Sequence, residues 1–376
     1  MEYMKKIKIL MLGWEYPPYV VGGLGTHCEY LTKALSKLPV KIYFITPHPI
    51  HKKIGNIEVV GLDISQKFKE KGKIVVYGKL RKKKIKAYTE KILDIIGKYD
   101  FDVIHCQDEH PIAASIILKN VSKKPLILTI HSTVFDKSEK PGLNRFNIEK
   151  NGMVNADKVI AVSHYTKNIM VKKYKINPKK IIVIPNAVKQ KRSPPKKKQG
   201  KKKYILCLGR VTYQKGIPYL IKAATKVVKK EKDVRFLIAG DGNSKYKNKL
   251  IDQIKELKLE DYFIFKGFVK DKVYYYRKAD VFVMPSVSEP FGITPLEAIS
   301  NGTPAIISKQ SGVAELLKNC LKVDYWNTDE LAKKILFLLR DKKAYNKLRN
   351  DGLKEVKNFT WEGIAKETFN LYKKMI

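Results

Sequence analysis

The chain has 376 residues, of which 44% are hydrophobic and 10% aromatic, and its 76 Lys and Arg against 36 Asp and Glu give a net charge of +40. This length suits two domains, and the apolar content excludes a disordered chain. The charge attracts polyanions such as nucleic acid, anionic lipid and phosphorylated substrates, although a lysine-rich proteome would explain it equally well.

Sequence patterns for membrane spanning, secretion and nucleic-acid recognition are missing. No run approaches the ~20 apolar residues of a membrane span. The apolar run near the N-terminus is followed by Trp14, Glu15 and prolines instead of a small-residue cleavage site. The four cysteines show no CxxC pair and no zinc spacing, which predicts reduced thiols. We therefore predict a cytoplasmic protein without a specific nucleic-acid partner.

Short apolar runs alternate with amphipathic helical patterns along the whole chain. In the first half, near-continuous apolar runs predict parallel strands at 7–13, 41–46, 57–62, 101–106, 125–131, 158–163 and 180–186. A proline-containing, highly charged segment then predicts an exposed linker at 189–203. After it, strands are predicted at 204–210, 234–242, 262–268, 280–286 and 304–309. The two series predict an α/β protein with two doubly wound, Rossmann-like domains, 1–188 and 204–359, that face each other across a cleft.

The motifs that could carry chemistry follow predicted strands. Ligands of open parallel sheets bind at the carboxyl ends of the strands, so this placement predicts a shared binding cleft. The first motif, "VVGGLGTH" at 20–27, is a glycine-rich turn before a helix. Gly22 and Gly23 have no side chains, so their amides could approach a phosphate, although a simple tight turn explains them as well. The spacing differs from G-x-G-x-x-G, which argues against a nicotinamide cofactor.

A second group lies at strand ends of the first half, in "HCQDEH" and "TIHST". It contains His105, Asp108 and His131. The spacing is weak for a metal site, and strand-end histidines are often packed core residues. For His131, which two hydroxyl residues follow, we favour a functional role.

The third motif, "GRVTYQKG", places Arg210 and Lys215 on either side of a strand-to-helix turn. A diphosphate leaving group carries negative charge that must be neutralised as its bond breaks, and two cations can do this without a metal. Surface lysines are common in so basic a chain, but the strand-end position favours this role.

The last motif, "SEPFGITPLEAISNGTPAI" at 288–306, contains two glutamates eight positions apart. Thr294, Pro295 and Glu297 fit a capping box at a helix start, which gives Glu297 a structural explanation. Glu289 lies in the loop before that helix, and amides after Phe291 would point from the helix N-terminus. Spacing alone leaves a structural and a ligand-binding role equally open.

Residues 289–298 resemble the E-x7-E motif of retaining glycosyltransferases of the GT-B fold, in glycosyltransferase family 4. The resemblance covers essentially the whole chain, including "YPPYVVGGLGTHCEYLTKAL", "NADKVIAVSHYTK", "GRVTYQKG" and "AGDG". The final segment, 360–376, resembles the closing helix of the family, which crosses back to the first domain.

This resemblance implies transfer of a hexose from a nucleotide-diphosphate sugar to an acceptor hydroxyl with retained configuration, without a cofactor or metal. The residues implied to bind the donor are Arg210, Lys215, Glu297, Gly23, Gly292, Ile293 and Thr294. The residues implied in catalysis are Glu289, His131 and Asp108. The two cations would hold the diphosphate, Glu297 the ribose, Glu289 the donor sugar, and Asp108 would line the acceptor side.

Several alternatives stay open. Glucan elongation from ADP- or UDP-glucose, as in glycogen and starch synthases, is weakened because Val20 stands where those enzymes carry a lysine. A retaining glycoside hydrolase would need two carboxylates flanking a glycosidic bond. A non-enzymatic polyanion-binding protein would explain the charge but not the strand-end motifs. The basic run at 79–86, followed by an amphipathic pattern, suggests a lipid-linked acceptor and peripheral contact with the inner membrane face, against a glycan acceptor and a solvated lysine-rich surface.

Overall fold

The computed structural model describes residues 6–20, 22–65, 81–138, 142–190 and 202–376. The chain divides into two compact units. The N-terminal unit comprises Met1–Val134, Lys140–Asn186 and Trp361–Ile376, and the C-terminal unit comprises Phe135–Glu139 and Ala187–Thr360. Most of the predicted linker, 191–201, lies outside the described residues, and a strand begins at Lys203.

The N-terminal unit is built on one sheet of eight described strands. They are β1 Ile7–Leu12, β2 Val40–Thr46, β3 His51–Ile54, β4 Ile57–Gly61, β5 Val103–Gln107, β6 Leu126–Ile130, β7 Lys158–Ala161 and β8 Ile181–Val183. Their order is β3-β4-β2-β1-β5-β6-β7-β8, and every neighbouring pair is parallel except the antiparallel pair β3–β4. The strand order changes direction between β1 and β5, so a crevice for a ligand is expected at their carboxyl ends.

Helices cover this sheet and bury apolar faces against it. They are α1 Gly23–Leu35, α2 Arg81–Ile95, α3 Ile112–Ser122, α5 Leu143–Asn155, α6 His164–Tyr174 and the last helix, α13 Trp361–Met375. The short helix α4, Val134–Lys137, has its first residue in the N-terminal unit and its other residues in the C-terminal unit. Helix α13 packs on α1. Its buried positions, Trp361, Ile364, Ala365, Thr368, Leu371 and Tyr372, recur at helical spacing.

The C-terminal unit has a sheet of six described strands, all parallel. They are β9 Lys203–Leu208, β10 Val234–Ala239, β11 Phe263–Gly267, β12 Val281–Met284, β13 Ala305–Ser308 and β14 Leu321–Val323. The order β11-β10-β9-β12-β13-β14 is that of a doubly wound nucleotide-binding sheet, with its switch point between β9 and β12. The helices of this unit are α7 Ile217–Lys230, α8 Ser244–Glu256, α9 Lys272–Lys278, α10 Ile293–Ser300, α11 Thr328–Arg340 and α12 Lys342–Glu355.

The predicted fold class is confirmed, since both units are α/β with parallel sheets. Two strands were missed by the sequence analysis: β3, whose residues are polar and mostly exposed, and the three-residue β14. Cys28, Cys106, Cys207 and Cys320 are buried and unpaired. None of the described helices combines the length and the apolar character that crossing a membrane requires.

Candidate functional site

The loop after β9 is held against the loop after β12 at the switch point of the C-terminal sheet. Gly216 adopts a positive φ of 65°, and a Cβ atom there would lie 1.8 Å from the carbonyl oxygen of Pro285. The amide of Val287 donates to the carbonyl oxygen of Gln214 at 2.9 Å. Only glycine allows this backbone approach, which brings the side chain of Lys215 toward the β12 loop.

Lys215 and Glu289 form an ion pair in which the ammonium group donates to Glu289 Oε2. The hydroxyl of Ser286 donates to the same oxygen at 3.2 Å. Both charged side chains are largely buried, with exposures of 19% for Lys215 and 11% for Glu289. The structure thus brings a predicted diphosphate-binding cation and a predicted sugar-binding carboxylate into contact.

Helix α10 begins two residues earlier than the sequence indicated. Its N-cap is Gly292, at a φ of 99°, and no side chain caps the helix. The predicted capping box of Thr294 and Glu297 is therefore wrong. Thr294 lies inside the first turn, where its hydroxyl faces the sulfur of Met284 at 3.8 Å. The first-turn amides, those of Ile293 and Thr294 included, have no partner within the helix.

The segment before α10 is fixed through its backbone. The Glu289 amide donates to the carbonyl oxygen of Gln310 at 3.0 Å, and the Gly312 amide donates to that of Glu289 at 2.9 Å. The Val313 amide donates to the carbonyl oxygen of Phe291 at 2.8 Å. These bonds hold the Glu289 carboxylate and the positive end of α10 on one rigid loop, which suits recognition of an anion or a polar sugar.

Glu297 contacts the hydroxyl of Tyr276, which donates to Oε2 at 2.6 Å. Tyr276 is buried at the end of α9, and burial together with the Glu297 charge raises the pKa of its phenol well above the usual value. Glu297 is thereby held in one orientation on α10. Arg210 lies at the carboxyl end of β9 with an exposed side chain.

Glu297→Gln should lower donor affinity with little change in folding stability. The glutamine carbonyl can still accept the Tyr276 hydrogen bond, but a neutral amide is a weaker acceptor for ribose hydroxyls than a carboxylate, by about 1–2 kcal/mol or roughly tenfold in binding. Titration calorimetry with nucleotides and thermal unfolding of the same preparation measure both quantities. Lost stability with normal donor affinity would show that Glu297 is only a packing partner of Tyr276.

In the N-terminal unit, a chain of hydrogen bonds leads from the last helix to His131. Gln107 Nε2 donates to His105 Nε2 at 3.2 Å, and the Thr129 hydroxyl faces the same nitrogen at 2.7 Å. The other nitrogen of His105, Nδ1, lies 2.6 Å from the hydroxyl of Tyr372 and therefore carries the proton. The side-chain oxygen of Gln107, Oε1, lies 2.9 Å from His131 Nε2. His131 Nε2 must donate there, which leaves Nδ1 of the neutral ring as a hydrogen-bond acceptor.

The histidines of this cluster are uncharged at neutral pH. Burial lowers the pKa of His27 to about 4, and burial together with the adjacent His27 lowers that of His105 to about 3. Burial, His27 and His105 also hold the pKa of His131 well below its usual value. The His27 ring contacts that of His131 edge-on at 4.4 Å, and its Nδ1 lies 2.6 Å from the side-chain oxygen of Asn186. The cluster can accept or donate hydrogen bonds without attracting an anion.

Asp108 supports His131 through the backbone. It follows β5 with a positive φ of 67°, and its carboxylate accepts the His131 amide at 3.3 Å. The structure thus brings together His105, which lies inside β5 and not at its end as predicted, with Asp108 and His131, which directly follow the neighbouring strands β5 and β6.

Gly23 is the first residue of α1, the helix that follows β1 in the chain. The carboxylate of Glu15 already accepts the amides of Gly22, at 3.1 Å, and of Gly25, at 3.3 Å. An anion at this helix end would meet the Glu15 charge, which makes the predicted contact between the Gly23 amide and a diphosphate less favourable.

Sequence reasoning missed several residues that shape both sites. They are Glu15, Gln107, Tyr276, Ser286 and Tyr372. Gln107 lies inside the recognised motif "HCQDEH", so strand-end position was an available signal for it. Tyr276 reaches Glu297 from the helix 21 positions earlier, and Tyr372 reaches His105 from 267 positions further along the chain. No local pattern indicates either contact.

Comparisons with known proteins agree with this geometry. Residues 188–355 match the family described as Glycosyl transferases group 1, and residues 21–192 match Glycosyltransferase Family 4. An uncharacterised glycosyltransferase of Methanocaldococcus jannaschii is 31% identical over 400 residues, covering 98% of each chain. Glycogen synthase of Mycobacterium tuberculosis is 25% identical over 403 residues, covering 97% of this chain and 94% of that protein. The crystal structure of Anabaena HepE in complex with UDP-glucose has a TM-score of 0.77 at 18% identity, covering 98% of this chain and 100% of that one.

Two α/β units with parallel sheets and these matches define a glycosyltransferase of the GT-B fold. The chain belongs to the glycosyltransferases of the family 4 type.

Proposed function

We propose that the protein is a retaining, metal-independent hexosyltransferase that uses a nucleotide-diphosphate sugar as donor. The observation that carries this proposal is the Lys215–Glu289 pair beside the N-terminus of α10, at the switch point of a nucleotide-binding sheet. The UDP-glucose bound in the structurally similar HepE supports a donor of this class. Retention is proposed from the resemblance of 289–298 to the E-x7-E motif.

The proposed chemistry follows from the charges of the C-terminal unit. As the glycosidic bond to the diphosphate breaks, negative charge grows on the leaving oxygen. Lys215 and Arg210 would stabilise that charge, as would the first-turn amides of α10. Glu297, oriented by Tyr276, would accept the ribose hydroxyls, and Glu289 the hydroxyls of the donor sugar. Lys215 would then leave its partner Glu289, wholly or in part, to contact the diphosphate.

In the N-terminal unit, His131 is proposed to contact the donor sugar. With its Nε2 proton donated to Gln107, the ring presents Nδ1, which can accept a sugar hydroxyl. Gly23 is proposed to contact the diphosphate through its amide. Asp108 is proposed to line the acceptor side, although its carboxylate is already used to hold the His131 backbone.

The acceptor is proposed to be a glycan or a lipid-linked hydroxyl, with the protein cytoplasmic. Full-length similarity to glycogen synthase favours glucan elongation as a second candidate, whereas Val20 argues against it. For the predicted membrane segment 79–86, residues 79–80 lie outside the described part of the chain. The apolar face of α2 is largely turned inward, with Tyr88 and Ile92 buried, and Lys82 and Lys86 are exposed.

Thermal unfolding with a panel of nucleotide-sugars tests the donor class. A donor that binds only the folded state at ~100 times its Kd should add about 2.7 kcal/mol of stability. The stabilising donor should also be hydrolysed slowly without acceptor, with release of nucleoside diphosphate, and EDTA should not change that rate. Stabilisation by none of the panel would refute the donor class, and loss of hydrolysis in EDTA with recovery in magnesium would refute metal independence.

A further inference from the structure

The C-terminal unit carries a basic surface with an exposed aromatic side chain, which the proposed transfer reaction does not use. We call it the α11 patch. It is a shallow groove lined by Lys230, Lys333, Leu336, Phe337, Arg340, Asp341 and Lys342. Four of these seven residues are cations and one is an acid, so the groove is strongly positive.

The patch comes from the outer face of α11. The inner face of this helix, with Leu331, Ala332, Ile335 and Leu338, is buried against the unit. Lys333, Phe337 and Arg340 follow at i, i+4 and i+7 on the opposite side and are exposed. Phe337 keeps 45% of its surface exposed, so it contributes less than a core residue to packing.

Only some of the charged groups of the patch have a bonding partner within the part of the protein that the structure describes. Arg340 donates to the carbonyl oxygen of Lys230, and both lie at helix C-termini, where cations are favourable. Lys342 begins α12, and the positive helix end there disfavours a cation. The single acid, Asp341, accepts the Ala344 amide at 2.8 Å as the N-cap of α12. Among the described residues, Lys230, Lys333 and Lys342 take part in no ion pair.

The position of the patch separates it from the candidate donor site. Lys203, the first residue of β9, bonds to Glu231 at 2.8 Å and to the carbonyl oxygen of Leu339 at 3.3 Å. The ends of α7 and α11 therefore lie at the amino edge of the sheet. Arg210 and Lys215 follow the carboxyl end of β9, roughly 20 Å away along a six-residue strand.

We propose that the α11 patch docks the protein on the surface of an anionic phospholipid bilayer. The lysines and Arg340 would neutralise phosphate head groups, and Phe337 would enter the interface between head groups and acyl chains, as aromatic residues do in peripheral proteins. Phe337 lies between Lys333 and Arg340 on one face of α11, with Lys230 and Lys342 on the adjoining helices, and this combination fits the bilayer surface in both charge and polarity. Docking on a bilayer is a function in addition to the proposed transfer reaction, and it does not depend on which nucleotide-sugar is the donor.

Vesicle sedimentation tests the proposal, with vesicles of equal parts phosphatidylglycerol and phosphatidylcholine against pure phosphatidylcholine. The wild-type protein should bind only the anionic vesicles and should be released by high salt. Neutralising Lys230, Lys333 and Lys342 together to glutamine should weaken partition by on the order of 100-fold, since each surface lysine contributes about fivefold. Phe337→Ser should weaken it by about tenfold.

Matched controls separate the patch from the overall charge. Lys82, Lys83 and Lys86 on α2 are exposed, and their triple change to glutamine lowers the net charge equally. Phe268 is 65% exposed elsewhere in the same unit and serves as the control for Phe337 through Phe268→Ser. Both controls should bind almost as the wild type does. Equal losses in the two triple variants, or a larger loss in the α2 variant, would overturn the proposal.

Two further measurements complete the test. Donor hydrolysis in solution without vesicles should be unchanged in all patch variants, so a failure of the donor proposal would appear there and not in sedimentation. Binding of a single-stranded oligonucleotide should be equal in the wild type and the patch triple variant. If the triple variant loses oligonucleotide binding and keeps vesicle binding, the surface is a nucleic-acid site and lipid docking is wrong.

Discussion

Lys215→Ala is expected to reduce turnover with the nucleotide-sugar donor by about 10²–10³-fold, the usual scale for removing one electrostatic stabiliser of a transition state. The ammonium group is held by the turn that ends at Gly216 and is largely buried. Its charge therefore acts in a region of low dielectric, where it stabilises a departing diphosphate more strongly than in water. Steady-state kinetics should show the loss mainly in kcat.

Stability has to be measured beside these kinetics, because Lys215→Ala also leaves the Glu289 carboxylate without its ion-pair partner. Breaking a buried pair destabilises a fold by up to about 3–5 kcal/mol. Lys222→Ala, an exposed lysine on the neighbouring helix α7, is the matched control and should change neither quantity. Normal turnover in a folded Lys215→Ala protein would contradict the role in diphosphate release.

Glu289→Gln is expected to reduce turnover by on the order of 10²-fold while the protein stays folded. Glutamine keeps the shape of the side chain and can still accept the Ser286 hydroxyl, but it removes the negative charge that faces Lys215. The loss should fall on transition-state stabilisation, so kcat and kcat/KM should decrease together.

Glu256→Gln, an exposed acid on α8, is the control for Glu289→Gln. A double-mutant cycle with Lys215→Ala should show a coupling of about 0.5–3 kcal/mol in turnover, since the two side chains are in contact. Unchanged kcat in Glu289→Gln with lowered thermal stability would assign the glutamate to the structure alone.

The sequence predicted the layered architecture because parallel strands covered on both faces are near-continuous apolar runs. It could not predict β3, whose residues His51 to Ile54 pair antiparallel at the sheet edge and need no apolar pattern. The placement of motifs at strand ends was also sufficient to identify the loops of Lys215 and Glu289.

Details of the candidate site that depend on backbone angles or distant contacts were not predictable. The pattern of Thr294, Pro295 and Glu297 suits a capping box, yet the positive φ of Gly292 starts α10 earlier. The orientation of His131 depends on Gln107 and, through His105, on Tyr372, which is 267 positions further along the chain than His105. Residue patterns over a few positions carry no information about such a contact.

The return of α13 to the N-terminal unit has a consequence for how the protein is made. Trp361–Ile376 belongs to that unit, and Tyr372 completes its buried hydrogen bonds. During synthesis, the C-terminal unit up to Thr360 leaves the ribosome before the N-terminal unit has its last helix. The first unit to be translated is thus the last to be completed, and until then the surface of α1 that α13 covers is exposed to chaperones and to other nascent chains.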